Sequence, residues 1–320
     1  MNTFFRQDTK DVYPVYEGCG NTFIIFHLKT IDDLTKLKNS PASLKKLTSV
    51  GLEKKVDSIM VISGDPKKFK KQKYHVTMEV FEPHGFKSNV KGSGWSTMCG
   101  NGIRGVAQYL YENFLEEKTY IIETRSGRQK IEKLNELWRV NMGAFTADSK
   151  YISKYVLSEL PLNCPQFGIQ SQKYSIKDHL DIGFNYLSKN LRDGEPHAII
   201  WRTQNISMNK LVELTQKMGE KITSDKIFPE GINTTVAFVK EVDYEHQRIE
   251  VCAATYERNI FYVTRACGTA ATVIGSLLLK KMEFLLPWRV YVHMPGGTLI
   301  IECDQNRNFF MIGPSSRVAS

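Results

Sequence analysis

Two thiols in this chain are carried by near-copies of one local sequence: Met98-Cys99-Gly100-Asn101-Gly102-Ile103-Arg104 and Ala266-Cys267-Gly268-Thr269-Ala270-Ala271-Thr272. Each copy reads Cys-Gly-polar-small and runs straight into an apolar, helix-periodic stretch, Val106-Ala107-Tyr109-Leu110 after the first and Val273-Ile274-Leu277-Leu278 after the second. A helix beginning just after a cysteine aims its unpaired backbone N–H groups at the thiol region. That positive end lowers a thiol pKa and forms a ready site for a carboxylate. Gly100, Gly102 and Gly268 let the backbone approach a ligand closely. A buried cysteine followed by glycine is unremarkable once. Twice in one chain, it points to a duplicated fold and to a reaction that takes a proton from one face of a carbon and returns one to the other.

The elements that must position these thiols follow from the hydrophobic patterning. β-rich runs cover Thr22–His27, Ser58–Ser63, Tyr74–Phe81, Thr119–Thr124 and Leu137–Asn141 in the first half, with helical periodicity at Ile31–Asn39 and around 102–116. The second half repeats the theme. Strands are expected at Ala198–Trp201, Thr234–Val239, Arg248–Ala253, Val290–His293 and Thr298–Glu302, and helices at Lys210–Lys217 and from Cys267 to near Lys281. Pro295-Gly296-Gly297 reads as a tight turn. The expected class is α+β with two similar lobes: residues 1–143 carrying Cys99, with a C-terminal tail at about 313–320 packing on them, and 144–312 carrying Cys267.

Composition bounds the rest. At 320 residues the chain can bury two ordinary cores, and its 42% hydrophobic and 24% charged content is that of a globular protein. No apolar run reaches the ~18 residues of a membrane helix, and Met1–Asp8 lacks the apolar core of a secretory signal. The six cysteines (Cys19, Cys99, Cys164, Cys252, Cys267, Cys303) lack metal-ligand spacing and are too few for a disulfide scaffold, so a reducing cytoplasm is the expected setting. The net charge of +9 is densest at Lys67-Lys68-Phe69-Lys70-Lys71-Gln72-Lys73, which reads as a solvated loop because nothing around it resembles a nucleic-acid module.

The motif order resembles that of the diaminopimelate epimerase family, the pyridoxal-phosphate-independent amino-acid racemases and epimerases. Gly18-Cys19-Gly20-Asn21-Thr22-Phe23 resembles the family's opening Gly-x-Gly-Asn-Asp-Phe. Arg139-Val140-Asn141-Met142-Gly143 resembles the close of its first domain, and Gly194-Glu195-Pro196-His197 its Gly-Asn-Pro-His. Phe228-Pro229-Glu230-Gly231-Ile232-Asn233, Tyr256-Glu257-Arg258 and Pro295-Gly296-Gly297-x-Leu299-x-Ile301-Glu302 are similar to further family segments, in family order. The resemblance implies the diaminopimelate epimerase-like fold, each lobe a curled, mainly antiparallel sheet around a central helix, with a site in the cleft between lobes. It implies Cys99 and Cys267 as base and acid, no cofactor and no metal. Backbone N–H groups near Gly100, Asn101, Gly268 and Thr269 would hold the α-carboxylate, with Asn21, Ser58, Asn233, Glu257 and Arg258 as further substrate contacts. The implied partner is a small amino-acid substrate, with neither nucleic acid nor membrane; a homodimer stays open. Cys19, Cys164, Cys252 and Cys303 have no counterpart in this reading, and His84 and His197 read as structural histidines.

The chain departs from the family where the distal end of diaminopimelate would bind. Ser58 replaces a glutamine, and Glu82 and Glu195 replace asparagines. A carboxylate in a poorly solvated pocket repels a second carboxylate and attracts a cation. The expectation is therefore a substrate with a neutral or cationic side chain, such as histidine, lysine or arginine, unless Glu82 and Glu195 pair with a local Lys or Arg. Diaminopimelate itself is the alternative, ahead of a non-catalytic protein or a phenazine-type isomerase on the same fold.

Overall fold

The computed structural model describes residues 13–69, 73–88, 90, 92–96, 98–146, 179–186, 195–226, 228, 231–258, 260–281 and 288–319. The chain forms two compact units, Met1–Val140 with Gly313–Ser320, and Asn141–Ile312.

In the first unit the strand Val15–Gly18 turns tightly into Asn21–Leu28, which lies parallel to Ser58–Ser63. Ser58–Ser63 is antiparallel to Val76–Phe81, which is parallel to Thr119–Thr124. Gly127–Leu134 and Leu137–Asn141 then add as antiparallel neighbours. The second unit takes the same steps. Glu195–Trp201 is parallel to Asn233–Asp243, which is antiparallel to Arg248–Tyr256; that strand is parallel to Arg289–Met294, and Gly297–Cys303 and Phe309–Pro314 follow antiparallel.

Parallel neighbours cannot be joined by a hairpin, so each parallel pair needs a helical crossover. The first crossover of the first unit is α1 (Ile31–Lys38) with α2 (Pro41–Glu53). Its second is α3 (Gly100–Asn113). In the second unit the equivalents are α4 (Met208–Ile222) and α5 (Gly268–Lys281). Both cysteines thus stand at the start of the second crossover helix of their unit, and the duplication seen in two short motifs extends to the whole topology.

Local chemistry explains the helix boundaries. Thr30 and Asp33 close a reciprocal capping box on α1; Ser40 caps α2, with Pro41 in its first turn. α3 is apolar or small on nearly every side, with Gly100–Ala107 and Leu110 buried, as a helix enclosed by sheet must be. It packs against Val15–Gly18, Asn21–Leu28, Ser58–Ser63 and the short strand Ser316–Arg317. α5 packs against Arg289–Met294, Gly297–Cys303, Glu195–Trp201, His179–Tyr186 and Ala144–Thr146, strands from both ends of its unit, so the sheet curls around the helix.

The expected helices and strands are present, with ends shifted by a few residues; the helix expected over Lys210–Lys217 runs from Met208 to Ile222. α2 and the strands Gly127–Leu134 and Phe309–Pro314 were not expected. The crossing expected at about 142–170 lies mostly outside the described residues, apart from a strand at Ala144–Thr146.

Candidate active site

Cys99 is the N-cap of α3. Its backbone is extended, its carbonyl accepts from Ile103 N–H at 3.0 Å, and its Sγ accepts from Gly102 N–H at 3.2 Å. A thiol thus fills the place usually taken by a serine or aspartate oxygen. A Cβ on Gly102 would lie 2.5 Å from Met60 Sδ and 3.2 Å from Cys99 Sγ, so the sulfurs of both residues crowd this turn of the helix. Gly100 and Asn101, the first helical residues, are buried. Asn21 and Ser58 are buried at the first positions of their strands, and Glu82 is half-buried, its N–H bonded to Gly94 O at 2.6 Å.

Cys267 repeats the arrangement. Its carbonyl accepts from Ala271 N–H at 3.0 Å, and its sulfur is bonded by Ala270 N–H. The N–H donor to sulfur lies three residues on in both copies, and the donor to the carbonyl four.

The surroundings differ. Cys99 is half-buried, whereas Cys267 is buried and pushed well above the usual thiol range, first by burial and then by the nearby Glu257 carboxylate, with Glu195 adding to it. Two hydrogen bonds at its sulfur, one shared with Thr269 Oγ1 at 3.3 Å and one with Ala270 N–H, oppose that shift. Thr269 Oγ1 also meets His197 Nε2 at 3.0 Å. His197 is wholly buried and its pKa falls to about 3, through burial first and then the charge of Arg258, so the ring is neutral.

Asn233 ties this half of the site together. Its Oδ1 accepts from Arg258 N–H at 2.9 Å, which leaves Nδ2 to donate to Glu195 Oε2 at 3.3 Å and to approach His197 Nε2 at 3.5 Å. Asn233 and His197 are register partners on parallel strands, so this meeting is set by the sheet. Glu195 Oε2 also takes an ion pair from Arg258 Nη2 at 3.2 Å. This changes the reading of Glu195, because a local arginine already offsets its charge. Glu257 accepts from Thr264 Oγ1 at 2.6 Å.

The second unit therefore gathers Cys267, Thr269, His197, Asn233, Glu195, Arg258 and Glu257, and the first gathers Cys99, Gly100 and Asn101 at the start of α3. The chain from His197 through Thr269 to Cys267 escaped the sequence reading; the matching strand positions of His197 and Asn233 were the available signal. Arg104, in the first cysteine motif, has an entirely buried side chain. Cys19 occupies the two-residue turn between Val15–Gly18 and Asn21–Leu28 with φ of +53°, and Gly20 follows with +79°, the left-handed pair that a type I′ turn demands. Cys164, Pro229 and Glu230 lie outside the described residues. Among the described residues no group of three or more His, Cys, Asp or Glu side chains is arranged to hold a metal ion, and no helix is long and apolar enough to cross a membrane.

Two thiols stand alike at helix starts in the two units, and the relatives of this chain are isomerases of the racemase and epimerase class. No family model matches the chain. It is 32% identical over 222 residues to the diaminopimelate epimerase of Bacillus subtilis, covering 69% of this chain and 71% of that one. It is 27% identical over 309 residues to that of Methanocaldococcus jannaschii, covering 93% and 94%. The chain belongs to the diaminopimelate epimerase family. In fold it is also similar to a phenazine biosynthesis protein of the PhzF family from Bacillus anthracis, with a TM-score of 0.61, 14% identity and coverage of 96% and 97%.

Proposed function

We propose that the chain inverts the α-carbon of a free amino acid by a cofactor-independent two-base mechanism in which Cys99 and Cys267 exchange the roles of base and acid. The observation that carries this is the repeated placement of a thiol on the third N–H of a helix, Gly102 for Cys99 and Ala270 for Cys267. One thiolate removes the α-proton and the other cysteine, as thiol, protonates the opposite face. Backbone N–H groups at the helix starts bind the α-carboxylate and stabilise charge that builds up as the C–H bond breaks.

For the side chain, the ion pair of Glu195 with Arg258 removes half of the charge argument for a cationic substrate. Carboxylates still stand at Glu82 and Glu195 where the family has asparagines, and on that substitution we propose a substrate whose side chain is neutral or cationic, histidine, lysine or arginine being the class to try first. The second reading, diaminopimelate, is favoured by the names of the curated relatives and by retention of Asn233, Glu257 and Arg258. Its distal end carries both charges, which an Arg–Glu pair can meet.

Incubating the purified chain with single amino acids in deuterated water and following α-deuterium by mass spectrometry separates the two. Rapid exchange of a basic amino acid with slow exchange of diaminopimelate is the expected result, and the reverse order overturns the substrate assignment. Absence of exchange across the whole amino-acid panel, with the folded protein, overturns the racemase reading itself.

A further inference from the structure

Among the described residues of the first unit, Arg104 is a charged side chain shut completely inside with little to hold it. It is fully buried, and among the described residues neither Nε nor Nη1 has a hydrogen-bond partner; Nη2 reaches only Cys19 Sγ, at 4.0 Å. A buried cation without an anion is expensive, so such a group implies a negative charge close by. Long side chains on a helix lie back over the preceding turn, toward its N-terminus. The guanidinium follows this rule: Nη2 lies 3.1 Å from where a Cβ on Gly18 would stand, and the Asn101 carbonyl oxygen 3.7 Å from the same point. The cation therefore sits behind the start of α3, where the helix itself already presents positive charge. Two positive features at one buried spot favour an anion there more strongly than either does alone.

The ionisable groups whose charge Arg104 feels are Cys19, Cys99 and Glu17. Glu17 is committed elsewhere, accepting from Gly20 N–H at 3.1 Å and from Ser316 Oγ at 3.3 Å. Cys19 is closed into its turn with 3% exposure, and burial outweighs the guanidinium in raising its pKa. Cys99 is the more open of the two thiols and already accepts a helix N–H on its sulfur.

We infer that Arg104 is a positioning residue that holds Cys99 as the thiolate, making Cys99 the base and Cys267 the acid of the resting enzyme. This rests on the two-thiol reading above. The α C–H bond breaks with its electron pair left on carbon and the proton on Cys99 sulfur. The Cys267 S–H bond breaks with its proton passed to carbon and its electron pair kept on sulfur. The enzyme is left with Cys99 as thiol and Cys267 as thiolate, and proton exchange restores the resting form. The burial of Cys267 beside Glu257 makes that restored form the preferred one.

The test is iodoacetamide labelling of the full-length chain, resolved cysteine by cysteine by mass spectrometry across a pH series, which needs no substrate. In the unaltered protein Cys99 should show a midpoint at least about one unit below the ~8.5 of a free cysteine, with Cys267 slower throughout. Arg104→Gln should raise the Cys99 midpoint by about one unit or more, so that its labelling near pH 7 falls roughly tenfold, and Arg104→Lys should restore most of the loss. A Cys99 midpoint at or above the free value in the unaltered protein overturns the inference. So does an unchanged Cys99 midpoint in folded Arg104→Gln, or a shift confined to Cys19. If Arg104→Gln does not fold, the unaltered protein and Arg104→Lys still decide. Full turnover in Cys99→Ser would sink the two-thiol reading instead, a result distinguishable from any labelling midpoint.

Discussion

Cys99 and Cys267 share a construction and differ in environment, and the difference has consequences that can be measured. On the proposed two-base mechanism, either thiol replaced by serine loses a proton carrier that a hydroxyl of much higher pKa cannot replace, so turnover should fall by about a hundredfold or more in each single variant. Exchange of the α-proton in deuterated water checks it, and full activity in either variant would exclude a two-base mechanism. His197 provides a second prediction. Its folded pKa is about 3 against an ordinary 6.5, so between those values the unfolded chain binds a proton that the folded chain refuses. Its contribution is complete above about 6.5 and is lost as the pH falls toward 3, with a slope of up to about 1.4 kcal/mol per pH unit. His197→Gln should flatten this acid limb in denaturant titrations at several pH values. The residues around these groups were legible in the sequence in unequal measure. Cys99, Cys267, Asn233 and Arg258 stand in motifs, but the engagement of Glu195 by Arg258 could not be read, because it depends on which side chains two separated strands bring together.

At the scale of elements, the helices that carry the thiols are seated differently. A Cβ on Gly275 in α5 would lie 2.6 Å from Ile301 Cγ2 and 2.7 Å from Ile301 Cβ, atoms of a stiff β-branched residue on a central strand. A Cβ on Gly102 in α3 meets the sulfur and terminal methyl of Met60, which can rotate away. Gly275→Ala should therefore cost about 1–3 kcal/mol as a lower denaturant midpoint at unchanged slope, and Gly102→Ala less. Equal costs would show that Met60 is held as firmly as Ile301. Periodicity revealed α1, α4 and both cysteine helices, whereas α2 was hidden by its sequence Pro-Ala-Ser-Leu-Lys-Lys-Leu-Thr-Ser-Val-Gly-Leu-Glu. Serine, threonine and glycine inside it are poor helix formers, and burial of Leu44, Leu47 and Gly51 against the sheet and the turn at Pro83 outweighs that preference.

At the scale of the molecule, the two ends of the described chain are joined within one unit. Ser316–Arg317 pairs with Tyr16 and Glu17, Val318 N–H donates to Val15 O at 2.8 Å, and Ser315 Oγ donates to Glu17 O at 3.0 Å. These contacts hold the strand that packs on α3 and leads into the Cys19 turn. A chain ending at Pro314 should lose about 1–3 kcal/mol of stability, seen as a lower melting temperature. An unchanged melting temperature would show that the tail only lies along the edge. Hydropathy could place the late strand Phe309–Pro314 only poorly, because Phe309, Phe310, Met311 and Ile312 form a short apolar run without alternation.

From the sequence by itself came the proposed reacting groups and their repetition: two thiols at helix starts, the motif order of a racemase family, and the alternation of strands that sets the fold class. These are local signals, because capping, periodicity and turn chemistry act within a few residues along the chain. Only the tertiary structure decided which charges are opposed. Glu195 meets Arg258 because parallel pairing puts Glu195–Trp201 beside Asn233–Asp243, and Arg104 is enclosed because α3 is wrapped on most sides by sheet. The charge a pocket presents depends on distances across strands and on exclusion of water, and neither is written in the order of residues.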